Sequence, residues 1–178
     1  TKRIMVDTCI GNDKDLKIAP IWDQMQTDFL EKMKAAGFPP ESIDVVVCTH
    51  LHLDHVGWNT MRVDDRWVPT FPNARYLFGR VEYDFMKATH TSPDVDEAWR
   101  ECNASVEKES VQPVIDAGLV DLVEFDHRIT DEVSLTPTIG HTPGHVSIVV
   151  RSEGASAIIT GDCIHHPCQL AHPDWGTN

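Results

Sequence analysis

Three histidines and an aspartate crowd into six consecutive positions, His50-Leu51-His52-Leu53-Asp54-His55, just after the apolar run Val45-Val46-Val47-Cys48. No other feature restricts the fold of this 178-residue chain so tightly. The apolar run shows no polar alternation, which is the pattern of a strand covered on both faces in a layered α/β protein. A buried strand therefore delivers four polar side chains to its own end, where imidazoles and a carboxylate need partners. In an extended stretch, residues two apart point to the same side, so His50 and His52 reach one point together. A turn after them would aim Asp54 and His55 at a second point close by. Imidazole and carboxylate without thiolate suit Zn²⁺, with Mn²⁺, Fe²⁺ or Co²⁺ as alternatives. At this chain's composition the pattern arises by chance in roughly 3 of 1,000 chains, so coincidence explains it poorly.

Two more segments carry related chemistry. Gly140-His141-Thr142-Pro143-Gly144-His145 joins two strand-like runs, and Pro143-Gly144 makes a tight turn that sets where His145 points. Thr160-Gly161-Asp162 places a carboxylate at the end of the apolar run 157–160; taken alone, an aspartate there caps a turn. Strands are expected at Ile4-Met5-Val6, 45–48, 75–78, 119–125, 133–139, 146–150 and 157–160. Helical spacing covers 22–36, with Gly37 as the stop, then 80–88 and 94–117. The last of these would open on an Asp94/Glu97 capping box and break at Pro113. Strands at both ends with helices between them predict an α/β or α+β fold, a single domain with a helical insertion at about 80–117.

Composition narrows the partners. Lys plus Arg is 15 against 28 Asp plus Glu, a net charge of −13, so phosphate backbones and anionic lipid are repelled. No Lys/Arg cluster offsets this. No apolar run approaches the roughly 18 residues of a membrane span. Five cysteines, an odd number with no Cys-x-x-Cys, indicate neither a disulfide framework nor a zinc knuckle. Free thiols point to a reducing, cytoplasmic setting, with a leader before Thr1 left open.

The series His-x-His-x-Asp-His, then Thr-Pro-Gly-His, then Gly-Asp, each just past an apolar strand, resembles the metallo-β-lactamase superfamily of metallo-hydrolases from about Ile4 to Asp162. The resemblance implies a four-layer αββα sandwich, incomplete at both termini here, with metals at one edge of the two sheets. It implies that 1–178 is a single partial domain. It implies that His50, His52 and His145 hold a first ion, that Asp54 and His55 hold a second, and that Asp162 bridges them. The expected cofactor is two divalent ions, zinc foremost, sharing a hydroxide, with Asp54 as the group that orients it or takes the proton. His55 directly after Asp54 favours two-metal hydrolases over true β-lactamases, and His52 in place of Glu argues against flavodiiron oxidoreductases.

The family's last ligand to the second ion comes tens of residues after the bridging aspartate, so it is expected beyond Asn178. His165, His166 and His172 are read as neighbouring or surface residues, with substitution for that ligand as the alternative. The 90 positions between His55 and His145, and the segment Trp67–Tyr76, resemble the lactonase and organophosphate-hydrolase-like members. The expected reaction is hydrolysis of a small ester, foremost a lactone. The expected partner is that small molecule, with a homodimer as an open option and neither nucleic acid nor membrane. Alternatives are an oxidoreductase of the persulfide dioxygenase type, with one iron at His50, His52 and His145, and a non-catalytic metal-binding remnant. Asp7 reads as structural, His141 as a turn residue, Trp58 as pocket wall or core, and Cys163 as a small buried hydrophobe. His90 and His127 read as hydrogen-bonded or solvated.

Overall fold

The computed structural model describes residues 1–90 and 92–176. Along the chain run β1 (Ile4–Val6), α1 (Phe29–Ala35), β2 (Val45–Val47), β3 (Thr60–Val63), β4 (Arg66–Pro69), β5 (Arg75–Gly79), α2 (Arg80–Thr89), α3 (Glu97–Val106), α4 (Gln112–Asp116), β6 (Val120–Val123), β7 (Val133–Pro137), β8 (Val146–Ser152) and β9 (Ala155–Ile159). Strands β1-β2-β5-β6 form a parallel sheet, β7-β8-β9 an antiparallel one, and β3-β4 a hairpin.

The unbroken valine run explains why β2 sits inside. Val46 faces one apolar cluster, with Tyr76, Phe78, Met33, Met86, Cys102, Val106 and Val114. Val45 and Val47 face a second, with Leu77, Leu135, Val146 and Ile148. The first cluster packs helices α1 to α4 on the parallel sheet; the second packs the two sheets on each other. A strand with period 2 thus feeds both layers. Burying each valine contributes about 1.5–3 kcal/mol. Helix, sheet and sheet make three of the four expected layers. Among the described residues no helix covers the outer face of the antiparallel sheet, where Ile158 is 52% exposed.

The expected strands all form. The helix expected over 22–36 is shorter, because Gln24 takes a left-handed φ of 50° and its amide bonds Lys14 O, folding 17–24 into turns. Gly37 does stop α1, at φ 88°. The cap of α3 is Asp96, whose carboxylate accepts from Ala98 N at 2.9 Å, and not Asp94. One turn of π helix at Glu107–Val111 separates α3 from α4, with Pro113 in the first turn of α4. Together α2, α3 and α4 form the connection between parallel neighbours β5 and β6. The β3–β4 hairpin was not anticipated; Asp64 and Asp65 both take the positive φ of its tight turn. No helix is long and apolar enough to cross a membrane among the described residues.

Candidate metal centre

Strand β2 ends at Val47, and the chain leaves the sheet carrying Thr49, His50, His52, Asp54 and His55. Just after neighbouring β1, Asp7 adopts a left-handed φ of 52°. That turn brings its carboxylate back across the end of β2. Asp7 accepts from Thr49 N at 2.7 Å, from Thr49 Oγ1 at 2.8 Å and from His55 Nδ1 at 2.9 Å. From the other side, buried Glu82 in α2 accepts from Leu51 N at 3.1 Å, Thr142 Oγ1 at 2.6 Å and Gly144 N at 3.2 Å. One carboxylate thus ties the 50–55 segment to the 141–145 turn. The amide of Val146 adds a bond to Thr49 O at 3.0 Å.

These bonds set tautomers. The Thr49 hydroxyl donates its proton to Asp7, so toward His50 it can only accept, and His50 Nδ1 at 3.1 Å carries the hydrogen. His50 Nε2 is then a bare lone pair, and it is buried with no hydrogen-bond partner. His145 Nε2 accepts from Asp162 N at 3.0 Å, so its Nδ1 carries the hydrogen and donates to Thr138 Oγ1 at 2.8 Å. Thr138 is held in turn by Ser147 Oγ at 2.9 Å. His52 Nδ1 lies 2.9 Å from His141 Nε2. Each of the three imidazoles thus has one nitrogen fixed by a neighbour, as ligating histidines do, while His145 Nε2 also accepts the Asp162 amide.

Burial, with the neighbouring imidazoles, pushes His50 far below the usual histidine range and His52 down to about 4. Burial and His141 also lower His145. All three are held neutral, the form that binds a cation. His55 is different. Burial works against its charge, but the bond and charge of Asp7, with Asp54 and Asp162, raise it to about 9. For Asp162, burial works upward and is outweighed by His55 and His165, which hold the carboxylate below its usual range.

Asp162 sits among imidazoles: Oδ1 lies 3.2 Å from His55 Nε2, and Oδ2 lies 3.9 Å from His50 Nε2, 3.6 Å from His141 Nε2 and 3.2 Å from His165 Nε2. Among the described residues, three sets have ligand atoms within 4.8 Å of one another: His50/His52/His141, His50/His55/Asp162 and His141/Asp162/His165. Of the six residues expected to bind metal, His50, His52, His55 and Asp162 fall in these sets. Asp54 lies beside them, its Oδ2 3.7 Å from His55 Nε2. His145 also lies beside them, its ring 5.1 Å from that of His50 and its Nε2 on the Asp162 amide. A partnerless buried nitrogen amid neutral imidazoles and an ionised carboxylate fits a divalent cation.

Four functional positions were missed or read as structural: Asp7, Glu82, Thr138 and His141. Asp7 is not merely structural, since it holds His55, and His141 is not merely a turn residue, since it contacts His52. Trp58 is core, 6% exposed and stacked on Phe29 at 5.5 Å. Cys163 is half-buried, its Sγ 3.8 Å from Ser147 Oγ. A cavity of about 520 Å³ opens on the cluster, lined by Thr138, Ile139, His141, Asp162, His165 and Gln169 among others.

The family model of the metallo-beta-lactamase superfamily matches residues 1–176. The chain belongs to that superfamily. Among similar superfamily proteins, an N-acyl homoserine lactonase of Bacillus sp is 28% identical over 127 residues, 71% of this chain and 40% of the relative. N-acyl homoserine lactonase AttM of Rhizobium radiobacter is 29% identical over 143 residues, 79% of this chain and 48% of the relative. The chain thus spans less than half the length of these relatives. The solved hydrolase AbOPH aligns with TM-score 0.71 and 27% identity over 96% of this chain and 56% of its own. AidC, a dizinc quorum-quenching lactonase, aligns with TM-score 0.72 and 22% identity over 97% of this chain and 57% of its own, a likeness of fold.

Proposed function

We propose that this superfamily member is a metal-dependent hydrolase that opens a lactone or cleaves a small ester, with two divalent ions, zinc foremost. The observation that carries the reading is His50 Nε2, a buried lone pair with no partner, at the centre of imidazoles whose other nitrogens are bound. Lactonase relatives support the substrate class. His50, His52 and His145 would hold one ion, Asp54 and His55 the other, and Asp162 both. Residues 1–178 would form one partial domain of that enzyme, with α2 to α4 as its helical insertion.

When bound, the ion pair supplies Lewis acidity and water of near-neutral pKa. The chain's own residues do the rest. Asp7 orients His55 through Nδ1, and Thr138 orients His145 in the same way. To hold the ions, His55 Nε2 would give up the proton it shares with Asp162, and His145 Nε2 would give up its hydrogen bond from the Asp162 amide. Asp54, partly exposed beside His55, would orient the reacting water or take its proton. The cavity beside Asp162 has room for a small acyl substrate.

The test is metal content and turnover of the intact protein and its His50→Ala and Asp162→Ala variants, on a lactone, a linear ester and a phosphotriester. The proposal expects two ions per chain, lactone or ester turnover, and joint loss of metal and activity in both variants. A single iron with oxygen consumption would favour the dioxygenase alternative, and full metal and rate in either variant would remove that residue from the site.

A further inference from the structure

Trp99, Cys102 and Val106 follow one another at helical spacing along α3 and form a single apolar stripe. Cys102 and Val106 are buried in the core beneath the helix, 6% and 4% exposed, whereas Trp99 is 46% exposed. The stripe thus runs off the end of the core, and because helical side chains lean toward the start of their helix, the indole reaches past it. It stands there beside the candidate metal centre. The Trp99 ring lies 6.5 Å from that of His52, tilted by 37°. The His52 ring in turn lies 4.7 Å from that of His141, which lines the cavity. One indole and two imidazoles therefore lead from the helical insertion to the cavity. The support under Trp99 is pinned to its surroundings: Asn103 Nδ2 donates to Thr89 Oγ1 at 3.2 Å, and Arg100 Nη1 donates to Ser92 O at 3.2 Å.

We infer that Trp99 is a specificity-determining residue that receives the apolar chain of the substrate, so that the preferred lactone or ester carries a substituent or acyl group of several carbons. The inference rests on the hydrolase reading and deepens it by naming the part of the substrate that the insertion selects. With the reacting carbonyl at the candidate ions, a chain that crosses His52 meets the half-exposed indole. Indole offers a large apolar surface and has only two side-chain torsions to fix. Each methylene it covers contributes up to about 4-fold in kcat/KM, the equivalent of about 0.8 kcal/mol. The core leaves this surface unused, since Cys102 and Val106 are the members of the stripe that pack inward.

The experiment measures kcat and KM of the zinc-loaded intact protein on matched short and long substrates, γ-butyrolactone against γ-decalactone and p-nitrophenyl acetate against octanoate. Wild type, Trp99→Ala and Trp99→Phe are compared, with zinc affinity and circular dichroism recorded for each. Wild type is expected to favour the long member of a pair by at least about 10-fold in kcat/KM. Trp99→Ala should cut that preference to about a third or less, mainly through a higher KM on the long substrate, while Trp99→Phe retains most of it. Zinc affinity should be the same in all three proteins. A preference equal in wild type and Trp99→Ala, or no preference in wild type, would overturn the chain-binding role and leave the hydrolase reading standing. Zinc affinity reduced at least 10-fold in Trp99→Ala, with the preference intact, would overturn it too, by making Trp99 a shield for His52. Absence of turnover on every substrate by zinc-loaded wild type would overturn the hydrolase reading itself.

Discussion

Asp7 shows how one carboxylate can position two imidazoles of a candidate metal site. Its carboxylate takes both the Thr49 proton and the His55 Nδ1 hydrogen, and so governs two imidazoles, His50 through Thr49 and His55 directly. Removing such a support costs about 10–100-fold in metal affinity. Asp7→Asn is expected to lower zinc affinity by that factor while the metal-free protein stays folded, as read by a chelator competition titration; unchanged affinity would show that Asp7 does not orient the ligands. Gly161 is a second sensitive position. It has φ 52°, and an added Cβ would lie 2.7 Å from His145 Nε2 and 2.9 Å from Thr49 Cβ. At this scale the sequence was legible where donors are consecutive, at 50–55, because alternation alone sends His50 and His52 to one side. It was illegible at Asp7, because the role of Asp7 depends on β1 lying beside β2, 39 or more positions later, which spacing does not reveal.

Elements carry the supports that join the loops. Helix α2 begins directly after β5, which points Glu82 between the two ligand-bearing loops. Gly144 allows the approach, since a Cβ there would sit 2.2 Å from Glu82 N. Burial raises the Glu82 carboxyl, against three hydrogen bonds that lower it. Glu82→Ala leaves the Leu51 and Gly144 amides and the Thr142 hydroxyl without their acceptor. The expected cost is about 3–5 kcal/mol in urea unfolding. A loss under about 1 kcal/mol would show the link to be dispensable.

The 11–16 loop is held by buried Lys14, whose Nζ donates to Thr60 Oγ1 at 2.7 Å and Glu109 O at 3.1 Å and lies 3.6 Å from the Trp67 ring centre. Burial lowers Lys14 to about 7 in spite of Glu109 and Asp13. The unfolded chain therefore holds a proton that the folded chain releases between about pH 7 and the ordinary lysine value near 10.5. Stability should rise with pH across that window, by up to about 1.4 kcal/mol per unit from this group. Lys14→Met should flatten the rise, measured as unfolding free energy at pH 7 and 9; an equal slope in the variant would assign the dependence elsewhere.

Helix and strand periods were readable at this scale, but the hairpin β3–β4 and the truncated α1 were not. Their turns use Asp and Gln at positive φ; Asp is a weaker turn marker than glycine, and Gln is not one.

In the whole molecule, two sheets share one apolar cluster, and the candidate ligands gather where β1, β2 and β9 end and β8 begins. Separate loops meet there, so an ion held by them would couple to the docking of one sheet on the other. Metal that binds only the folded chain stabilises by about 2.7 kcal/mol at 100 times its Kd. Adding a chelator to the loaded protein should therefore lower Tm, and His50→Ala should start from the lowered value and respond no further. A chelator-insensitive Tm would separate the cluster from the fold. The layered α/β architecture was legible in advance because the Val45–Val47 run is apolar on both faces. The exposed outer face of β9 was not, since burial there depends on what packs against the antiparallel sheet.

The most direct measurement is an anomalous-scattering crystal structure of the metal-loaded protein. Two ions about 3.5–4 Å apart are expected, one on His50, His52 and His145, the other on Asp54 and His55, with Asp162 touching both and the Asp162 amide released from His145. A single ion, or ions that leave His145 bonded to that amide, would contradict the account.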